Sequence, residues 1–283
     1  KESAAASDVY KRQLSHRDVT VVVPTRNEAK NLPYVARRMP DGIDEIIVVD
    51  GGSTDGTLDV ARTLWPRARL LQQTRKGKGN ALACGFDAAQ GEIIVMIDAD
   101  GSTDPAEIPM FVQALADGAD FAKGSRFTYR GGSSDITRLR RLGNLGLNGM
   151  VNHLYSAQFT DLCYGYNAFR RHCLPVIDLP EPALTDAQWG DGFEVETLMN
   201  IRVARAGLRI AEVASYERDR IHGQSNLNVV SDGIRVLRTI FDERSAAQAA
   251  PVTPVSGPTK VAGVRARLGR AIAGSDNLAA GAA

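Results

Sequence analysis

The stretch IIVMIDADGST, from Ile93 to Thr103, runs from an apolar segment straight into two aspartates, Asp98 and Asp100, that are one residue apart. Residues i and i+2 of an extended segment point to the same side, so this spacing places two like charges next to each other. A hard divalent cation with oxygen ligands, Mg²⁺ or Mn²⁺, would offset the repulsion and leave positions open for substrate phosphates. The alternative is a strand that ends in a solvated turn.

Short β-branched runs alternate with helical patterns around this stretch. The runs predict strands at residues 19–25, 44–50, 69–73 and 92–100. The patterns between them predict helices at residues 27–39, 54–65 and 79–91. Strands that are apolar almost throughout are typical of a parallel sheet covered by helices on both faces. We therefore expect an α/β fold with a mostly parallel, Rossmann-like sheet in a single domain, and ligands beyond the carboxyl ends of its strands.

The composition limits the kinds of partner. The 283 residues are 43% hydrophobic and carry a formal net charge of +1, which allows one large domain and gives no overall attraction to nucleic acid. Three cysteines without CxxC spacing, and no signal-peptide pattern, indicate a reducing compartment, so we expect a cytoplasmic protein. No run approaches the roughly 18 apolar residues of a membrane-spanning helix.

The ends of the chain differ in composition from its middle. We expect a folded domain at residues 18–245, a flexible arm at residues 1–17 and a disordered tail at residues 246–283. The tail is rich in Ala, Pro, Gly and Thr, and such a composition cannot bury enough apolar surface to offset the entropy of ordering. Within the domain, GGSS at residues 131–134 is flexible by composition, so it is either a lid over the site or a plain surface loop.

The segments that follow the predicted strands carry the family signal. The turn after the first strand is PTRNEA, without the GxGxxG glycines of a dinucleotide site, which argues against a nicotinamide enzyme. Five segments occur in order along the chain: VVVPTRNEAKNL, IIVVDGGSTDGT, RKGKGNAL, IIVMIDADGSTDP and AKGSRF. Together they resemble the GT-A glycosyltransferases of family 2, and among these the dolichol-phosphate mannose synthase group, which makes polyprenyl-phosphate sugars. The resemblance covers about residues 19–228.

The resemblance implies a site for a nucleotide-sugar donor in the first half of the chain. Its expected residues are Pro24, Thr25, Asn27, Glu28, Asp50, Ser53, Lys78, Gly79 and Asp98. Asp98 and Asp100 would hold the metal that binds the diphosphate, and Ser102 stands where the synthase group can have a glutamine as third ligand. The alternatives are a solvated charge for Lys78 and a helix N-terminal charge for Glu28.

The resemblance also implies a site for the acceptor phosphate in the second half. Its expected residues are Arg126, Arg140, Arg141, Asn144, Arg220 and Ser225. Guanidinium groups suit phosphate because they can donate two hydrogen bonds side by side. Among Arg138, Arg140 and Arg141 we prefer Arg140 as the phosphate-binding residue, and Arg141 is the next candidate. At least one of the three instead belongs to a solvated basic face or contacts anionic lipid.

Acidic residues near a later helix are candidates for catalysis. DGFEVETLMNIRVARAG at residues 191–207 predicts an amphipathic helix with Glu194 and Glu196 near its start, where family 2 can supply a catalytic carboxylate and where acidic residues also suit the helix dipole. The expected catalytic residues are Asp100, Arg126, Arg140, Glu194 and Glu196.

Together with these residues, the resemblance implies a metal-dependent, inverting transfer of a sugar from a nucleotide-sugar, UDP- rather than GDP-linked, to a polyprenyl phosphate. A phosphate acceptor is already anionic near neutral pH, its second pKa being about 6, so no general base is needed. If the acceptor is instead a hydroxyl of a soluble molecule, Asp191, Glu194 or Glu196 becomes the candidate base. A non-catalytic nucleotide-sugar binding protein is the remaining alternative.

A membrane surface is a further expected partner. The segment LNVVSDGIRVLRTIF at residues 227–241 places Val230, Ile234, Leu237 and Phe241 on one helical stripe, with arginines beside it. Such a helix either lies at a membrane interface or packs on the core. Peripheral attachment to the cytoplasmic face is therefore an open alternative to a location free in the cytoplasm.

Overall fold

The computed structural model describes residues 18–223, 229–249 and 262–263. In these ranges the strands are β1 (Val19–Thr25), β2 (Glu45–Asp50), β3 (Arg69–Gln72), β4 (Ile93–Met96), β5 (Phe121–Ser125), β6 (Gly132–Ser133), β7 (Asn167–Arg170), β8 (Ile210–Ala214), β9 (Tyr216–Glu217) and β10 (Ala262–Gly263). The helices are α1 (Leu32–Arg38), α2 (Thr57–Leu64), α3 (Lys78–Ala88), α4 (Ile108–Ala116), α5 (Arg138–Tyr155), α6 (Leu174–Ile177), α7 (Val195–Arg205) and α8 (Val229–Ala249).

A single eight-stranded sheet runs through the centre of the fold, in the order β10-β8-β5-β7-β4-β1-β2-β3. Its pairs are parallel except those of β7, which is antiparallel to both β4 and β5. The mostly parallel α/β sheet expected from the alternating pattern is confirmed. Because parallel strands end at the same edge, the segments that follow β1, β4 and β5 are neighbours.

The core occupies both faces of the sheet, which explains why its strands are apolar almost throughout. In β1, Val22 packs on one face, whereas Val21 and Val23 pack on the other. Residues of α3 and α7 cover the first face, and residues of α1 and α4 cover the second. A strand buried on both sides has no solvent face on which polar residues could alternate.

The predicted element boundaries shift where polar residues take over from apolar ones. β4 ends at Met96 rather than at residue 100, and the two aspartates follow it in a turn closed by Gly101, whose φ is 81°. α1 begins at Leu32 rather than at residue 27, because Asn27 has a left-handed φ of 58° that no helix accommodates. The paired aspartates therefore lie in a turn and not on an extended strand.

Two segments predicted to be flexible contain regular structure. The GGSS loop forms β6, which pairs parallel with β9, and the Ser133 hydroxyl donates to Glu217. At the other end of the chain, α8 continues to Ala249, and β10 pairs with β8, so parts of the predicted tail are helix and strand. The rest of the tail and the predicted arm at residues 1–17 lie outside the described residues.

Candidate active site

A cavity of about 850 Å³ lies at the carboxyl ends of β1, β4 and β5. The start of α3, one side of α5 and one side of α8 complete its walls. The predicted site residues that line this cavity are Pro24, Thr25, Glu28, Lys78, Asp98, Asp100, Ser102, Arg126, Arg140, Asn144, Glu196 and Arg220. The fold thus brings together residues from seven separate segments of the chain.

The two aspartates have separate cationic partners. Lys78 Nζ lies 2.6 Å from Asp98 Oδ1 and 2.8 Å from Glu196 Oε1. Burial would lower the pKa of the Lys78 ammonium, but the carboxylates of Asp98 and Glu196 outweigh it and raise that pKa above its usual value. The Lys78 side chain therefore keeps its positive charge, and it is paired with carboxylates and is not a solvated surface charge.

Arg220 has the corresponding role beside Asp100. Its Nη2 lies 3.3 Å from Asp100 Oδ2, and its Nη1 donates to Glu28 Oε1 at 3.0 Å. Burial raises the pKa of Glu28 even though Asn31 and Arg220 donate hydrogen bonds to it. Arg220, expected to bind the acceptor phosphate, is thus held by the acids of the donor half. The metal-side cluster consists of Glu28, Lys78, Asp98, Asp100, Glu196 and Arg220.

The residues of the metal-side cluster fit a hard divalent cation. Ser102 donates from its backbone N–H and its hydroxyl to Asp100 Oδ1, at 2.9 and 2.7 Å, so this oxygen is oriented before any metal binds. The cluster's four carboxylates and two cations leave two formal negative charges, which match one divalent ion. Within the described ranges, no group of three or more His, Cys, Asp or Glu forms a metal site. The protein would supply two carboxylates and the Ser102 oxygen, and Mg²⁺ or Mn²⁺ commonly completes such a set with water and phosphate.

The predicted nucleoside residues form a second group, which orders the loop after β2. The Asn27 N–H donates to Ser53 Oγ at 2.8 Å, and the Thr54 N–H donates to Asn27 Oδ1 at 2.8 Å. Asp50 Oδ2 accepts from the N–H groups of Gly52 and Ser53, both at 3.0 Å. Asn27, Asp50 and Ser53 do not line the large cavity, although Asn27 lines a smaller one of about 360 Å³ beside it.

One oxygen in this group has no partner. Asp50 Oδ1 is buried, and it accepts no hydrogen bond from the part of the chain that the structure describes. A buried carboxylate oxygen left unpaired is costly, so a donor group on a ligand would stabilise it. The predicted role of Asp50 toward the base or the ribose stays a prediction.

The structure gives Gly79 a packing role, and its predicted place near the diphosphate stays a prediction. Its N–H donates to the Asp191 carbonyl at 2.8 Å, and a Cβ atom at Gly79 would lie 1.8 Å from the Gly190 carbonyl oxygen. Gly79 is therefore needed for the close approach of residues 190–192 to the start of α3. Arg75 reinforces this contact with two hydrogen bonds to the Asp191 carboxylate, at 2.8 and 2.9 Å. The backbone of neighbouring Lys78 is fixed as a result.

Arg126 is almost fully enclosed by acids in a second charged cluster of the site. Its Nε and Nη2 donate to Asp161 at 2.7 and 2.8 Å, and its Nη1 donates to Glu217 at 2.9 Å. Asn144 also donates to Asp161, at 3.2 Å. These four residues, Arg126, Asn144, Asp161 and Glu217, form the acceptor-side cluster. Two of the five N–H bonds of the guanidinium group remain for a ligand.

The arginines of α5 separate on its surface. Arg140 lines the cavity and binds Asp135 at 2.9 Å, in a partly exposed ion pair. Arg141 is not among the lining residues, and its guanidinium carbon lies 5.4 Å from the centre of the Phe127 ring. The preferred Arg140 is thus at the cavity and the alternative Arg141 is not. Ser225 lies outside the described residues.

Glu194 and Glu196 also separate, because α7 begins between them. Glu194 is fully buried away from the cavity, where Arg235 donates to it at 2.6 and 2.8 Å and the Gly190 N–H donates at 2.9 Å. Burial would raise the pKa of Glu194, but these hydrogen bonds lower it. Glu196 lines the cavity beside Lys78. Of these two glutamates, the structure brings only Glu196 to the cavity.

The sequence patterns did not point to Arg75, Asp161 or Glu217 as part of the site. Asp161 belongs to TDLCYGYN, a segment that also contributes Tyr164 to the cavity wall. An acidic residue in such a segment has no local feature that distinguishes a buried partner of an arginine from an exposed charge. The one available signal was that this part of the chain has more arginines than acidic residues that could pair with them.

Comparisons with known proteins agree with this geometry. The glycosyl transferase family 2 model matches residues 20–176. The glycosyltransferase AglJ of Haloferax volcanii is 32% identical over 219 residues, which are 76% of this chain and 68% of that protein. The undecaprenyl-phosphate mannosyltransferase of Micrococcus luteus is 32% identical over 219 residues, 74% of this chain and 87% of that protein.

A solved structure extends the comparison to three dimensions. The glucosyl-3-phosphoglycerate synthase of Mycobacterium tuberculosis, in complex with Mn²⁺, UDP and glucosyl-3-phosphoglycerate, matches with a TM-score of 0.62 and 26% identity, over 83% of each chain. The sheet order, the position of the cavity and these similarities lead to one conclusion. The chain belongs to glycosyltransferase family 2 and is a glycosyltransferase with a GT-A-like fold.

Proposed function

We propose that this enzyme transfers a sugar from a nucleotide-sugar to a polyprenyl phosphate, with Mg²⁺ or Mn²⁺ and with inversion at the anomeric carbon. The observation that carries the proposal is that Asp98, Asp100, Arg126 and Arg140 all line one shared cavity. The similarity to an undecaprenyl-phosphate mannosyltransferase supports the choice of acceptor.

The donor would bind along the carboxyl ends of β1, β2 and β4. A metal held by Asp98 and Asp100 would neutralise the charge that develops on the departing diphosphate. Lys78 adds a second positive charge at the same point, and the unpaired Asp50 Oδ1 can accept a hydrogen bond from the nucleoside. We favour a UDP-sugar over a GDP-sugar, since the structurally similar synthase was solved with UDP.

The charges around the site favour a phosphate as the nucleophile. An alcohol would need a general base, and the three predicted candidates already bind cations: Asp191 binds Arg75, Glu194 binds Arg235 and Glu196 binds Lys78. A phosphate needs only to be held in line with the bond that breaks, and positioned positive charges can hold it there. The two remaining N–H groups of Arg126, together with Arg140, would hold it.

Exposed apolar side chains on two helices of the cavity wall suit the polyprenyl chain and a membrane surface. The helices α5 and α8 pack against each other, and both line the cavity. Both also expose apolar residues to solvent, of which Leu139 lines the cavity as well. The apolar rim consists of Leu139, Leu142 and Leu145 of α5 with Ile234, Leu237 and Phe241 of α8.

Leu139 and Leu142 of the apolar rim are 70% and 68% exposed, and Arg138 and Arg141 beside them are exposed as well. Clustered apolar groups with neighbouring arginines are typical of a surface that binds anionic lipid. In the ranges that the structure covers, no helix is long and apolar enough to cross a bilayer. From the exposed leucines and arginines we infer peripheral attachment to a membrane, at its cytoplasmic face.

The acceptor decides between this proposal and its main rival. The purified protein is incubated with radiolabelled UDP- or GDP-sugars, MnCl₂ and one of three acceptors: a polyprenyl phosphate, the polyprenol of the same length, or 3-phosphoglycerate. We expect labelled lipid with polyprenyl phosphate only. Label on 3-phosphoglycerate alone would instead support a soluble acceptor, as in the glucosyl-3-phosphoglycerate synthase, and no label with any acceptor would contradict the proposed transfer.

A further inference from the structure

The Lys78 ammonium forms an ion pair with Asp98, one of the two proposed metal ligands. It lies 2.6 Å from Asp98 Oδ1, so this oxygen is already bound to a cation. The surroundings are shaped for this contact, because a Cβ atom at Gly165 would lie 2.8 Å from Lys78 Nζ and 3.0 Å from Glu196 Oε1. Any larger residue at position 165 would push the ammonium away from its partners.

A divalent ion on Asp98 and the ammonium of Lys78 repel each other unless an anion lies between them. Lys78 has a second partner, Glu196, at 2.8 Å, which can hold the ammonium without Asp98. Its backbone has no corresponding freedom, since Gly77 and Gly79 on either side pack against residues 190–192. The exchange therefore requires only a movement of the Lys78 side chain.

We propose that Lys78 is a positioning residue that occupies Asp98 until the donor arrives, and so makes the binding of the metal and of the nucleotide diphosphate mutually dependent. The diphosphate supplies the anionic oxygens that both cations share, which removes their repulsion. This inference rests on the proposed metal role of Asp98 and Asp100. By linkage, the nucleotide then tightens metal binding by the same factor as the metal tightens nucleotide binding.

The test measures the affinity for Mn²⁺ directly, by electron paramagnetic resonance of the free ion, with and without UDP or GDP. Protein-free titrations correct for the complex between Mn²⁺ and the nucleotide. The variants are Lys78→Met, Lys78→Gln, Lys76→Met and Asp100→Ala. Lys76 is the matched control, because it lines the same cavity and carries the same charge as Lys78. The two lysines differ in that the ion pair with Asp98 is formed by Lys78. Melting temperatures show that each variant is folded, and Lys78→Gln keeps a hydrogen-bond donor for Glu196.

In the unsubstituted protein we expect the nucleotide to tighten Mn²⁺ binding by about 10-fold or more, within the usual range of such couplings. Both Lys78 variants should bind Mn²⁺ about 10-fold more tightly than that protein when no nucleotide is present, and the effect of the nucleotide should shrink to about 3-fold or less. Lys76→Met should behave like the unsubstituted protein.

Two outcomes separate the inference from the function on which it rests. If Asp100→Ala abolishes Mn²⁺ binding while the Lys78 variants bind it no more tightly than the unsubstituted protein does, the exchange is overturned and the metal site stands. If Asp100→Ala leaves Mn²⁺ binding unchanged, the metal assignment itself fails, and the inference fails with it.

Discussion

The two charged clusters of the cavity differ in how firmly their ions are held. In the metal-side cluster, Lys78 is shared between two acids, and Asp98 keeps 28% of its side chain exposed. In the acceptor-side cluster, Arg126 and Asp161 are 5% and 0% exposed, and they bind through two parallel hydrogen bonds. Removing one partner of a buried pair leaves a charge without compensation, whereas water or substrate can replace a partner at an open surface. The first cluster is thus suited to exchange ions and the second to keep its shape.

The largest effect should come from removing a proposed metal ligand. We expect Asp100→Ala to lower the turnover number by about 1000-fold or more, because the leaving diphosphate loses its neutralising cation. The free energy of unfolding, measured with urea, should change little, since Asp100 is partly exposed. Steady-state transfer at saturating substrates measures the effect. Asp219→Ala, which removes another carboxylate from the same cavity, is the control. Equal losses in both variants would contradict the specific role of Asp100.

The second effect compares the two arginines, Arg126 and Arg140, that we propose to hold the acceptor phosphate. Arg126→Ala should lower the free energy of unfolding by about 3–5 kcal/mol, because Asp161 and Glu217 are left as buried acids without their cation. Arg140→Ala removes only a partly exposed pair with Asp135, and should cost about 1 kcal/mol or less. Urea denaturation measures both values.

The acceptor kinetics complete this comparison. Arg140→Ala should still raise the KM for polyprenyl phosphate by about 10-fold, the amount expected from one charged hydrogen bond. The KM for the nucleotide-sugar, measured in the same preparation, should not change. A stable Arg126→Ala protein would show that the acceptor-side cluster is less rigid than its geometry implies.

The third effect lies behind the acceptor-side cluster, at Lys123. This residue is fully buried, and its ammonium donates to the carbonyl groups of Gly124 and Tyr164. Burial lowers the pKa of Lys123 to about 8, although Asp161 and Glu212 oppose the shift. Between about pH 8 and pH 10.5, the unfolded chain keeps a proton here that the folded chain has lost. The stability contributed by this group therefore rises with pH through that window.

The measurement is the difference in unfolding free energy between the unsubstituted protein and Lys123→Met, at pH 7.5 and at pH 10. We expect the difference to shift in favour of the unsubstituted protein by up to about 3 kcal/mol as the pH rises. Taking the difference between the two proteins cancels the contributions of the thiols and phenols, which titrate in the same range. A difference that does not depend on pH would show that Lys123 keeps its proton in the folded protein at both values, as it does in the unfolded chain.

Much of the fold was predictable because its signals are local. The apolar runs of β1, β2 and β4 and the polar segments after them are properties of neighbouring residues, and together they predicted the sheet, the edge that holds the site and the paired aspartates. The antiparallel β7 was not predictable in this way. Its pairing with β4 and β5 depends on strands that are distant in the chain.

The partners of charged residues were the least predictable part of the site. Glu194 and Glu196 both stand near the start of one helix, yet one binds Arg235 in the core and the other binds Lys78 at the cavity. Two residues along a helix point in very different directions, and their surroundings depend on which elements pack there. For the same reason, the ion pair between Arg75 and Asp191 could not be predicted from the sequence.

The order of residues alone was enough to establish the α/β architecture, the family resemblance and the presence of adjacent acids at the edge of the sheet, because periodicity and short motifs are written in consecutive positions. Packing was needed to show that Gly79 accommodates a carbonyl group, that Arg126 is enclosed by two acids and that Lys78 is bound to Asp98. Those facts depend on distances between segments far apart in the chain, and such distances exist only once the chain has folded.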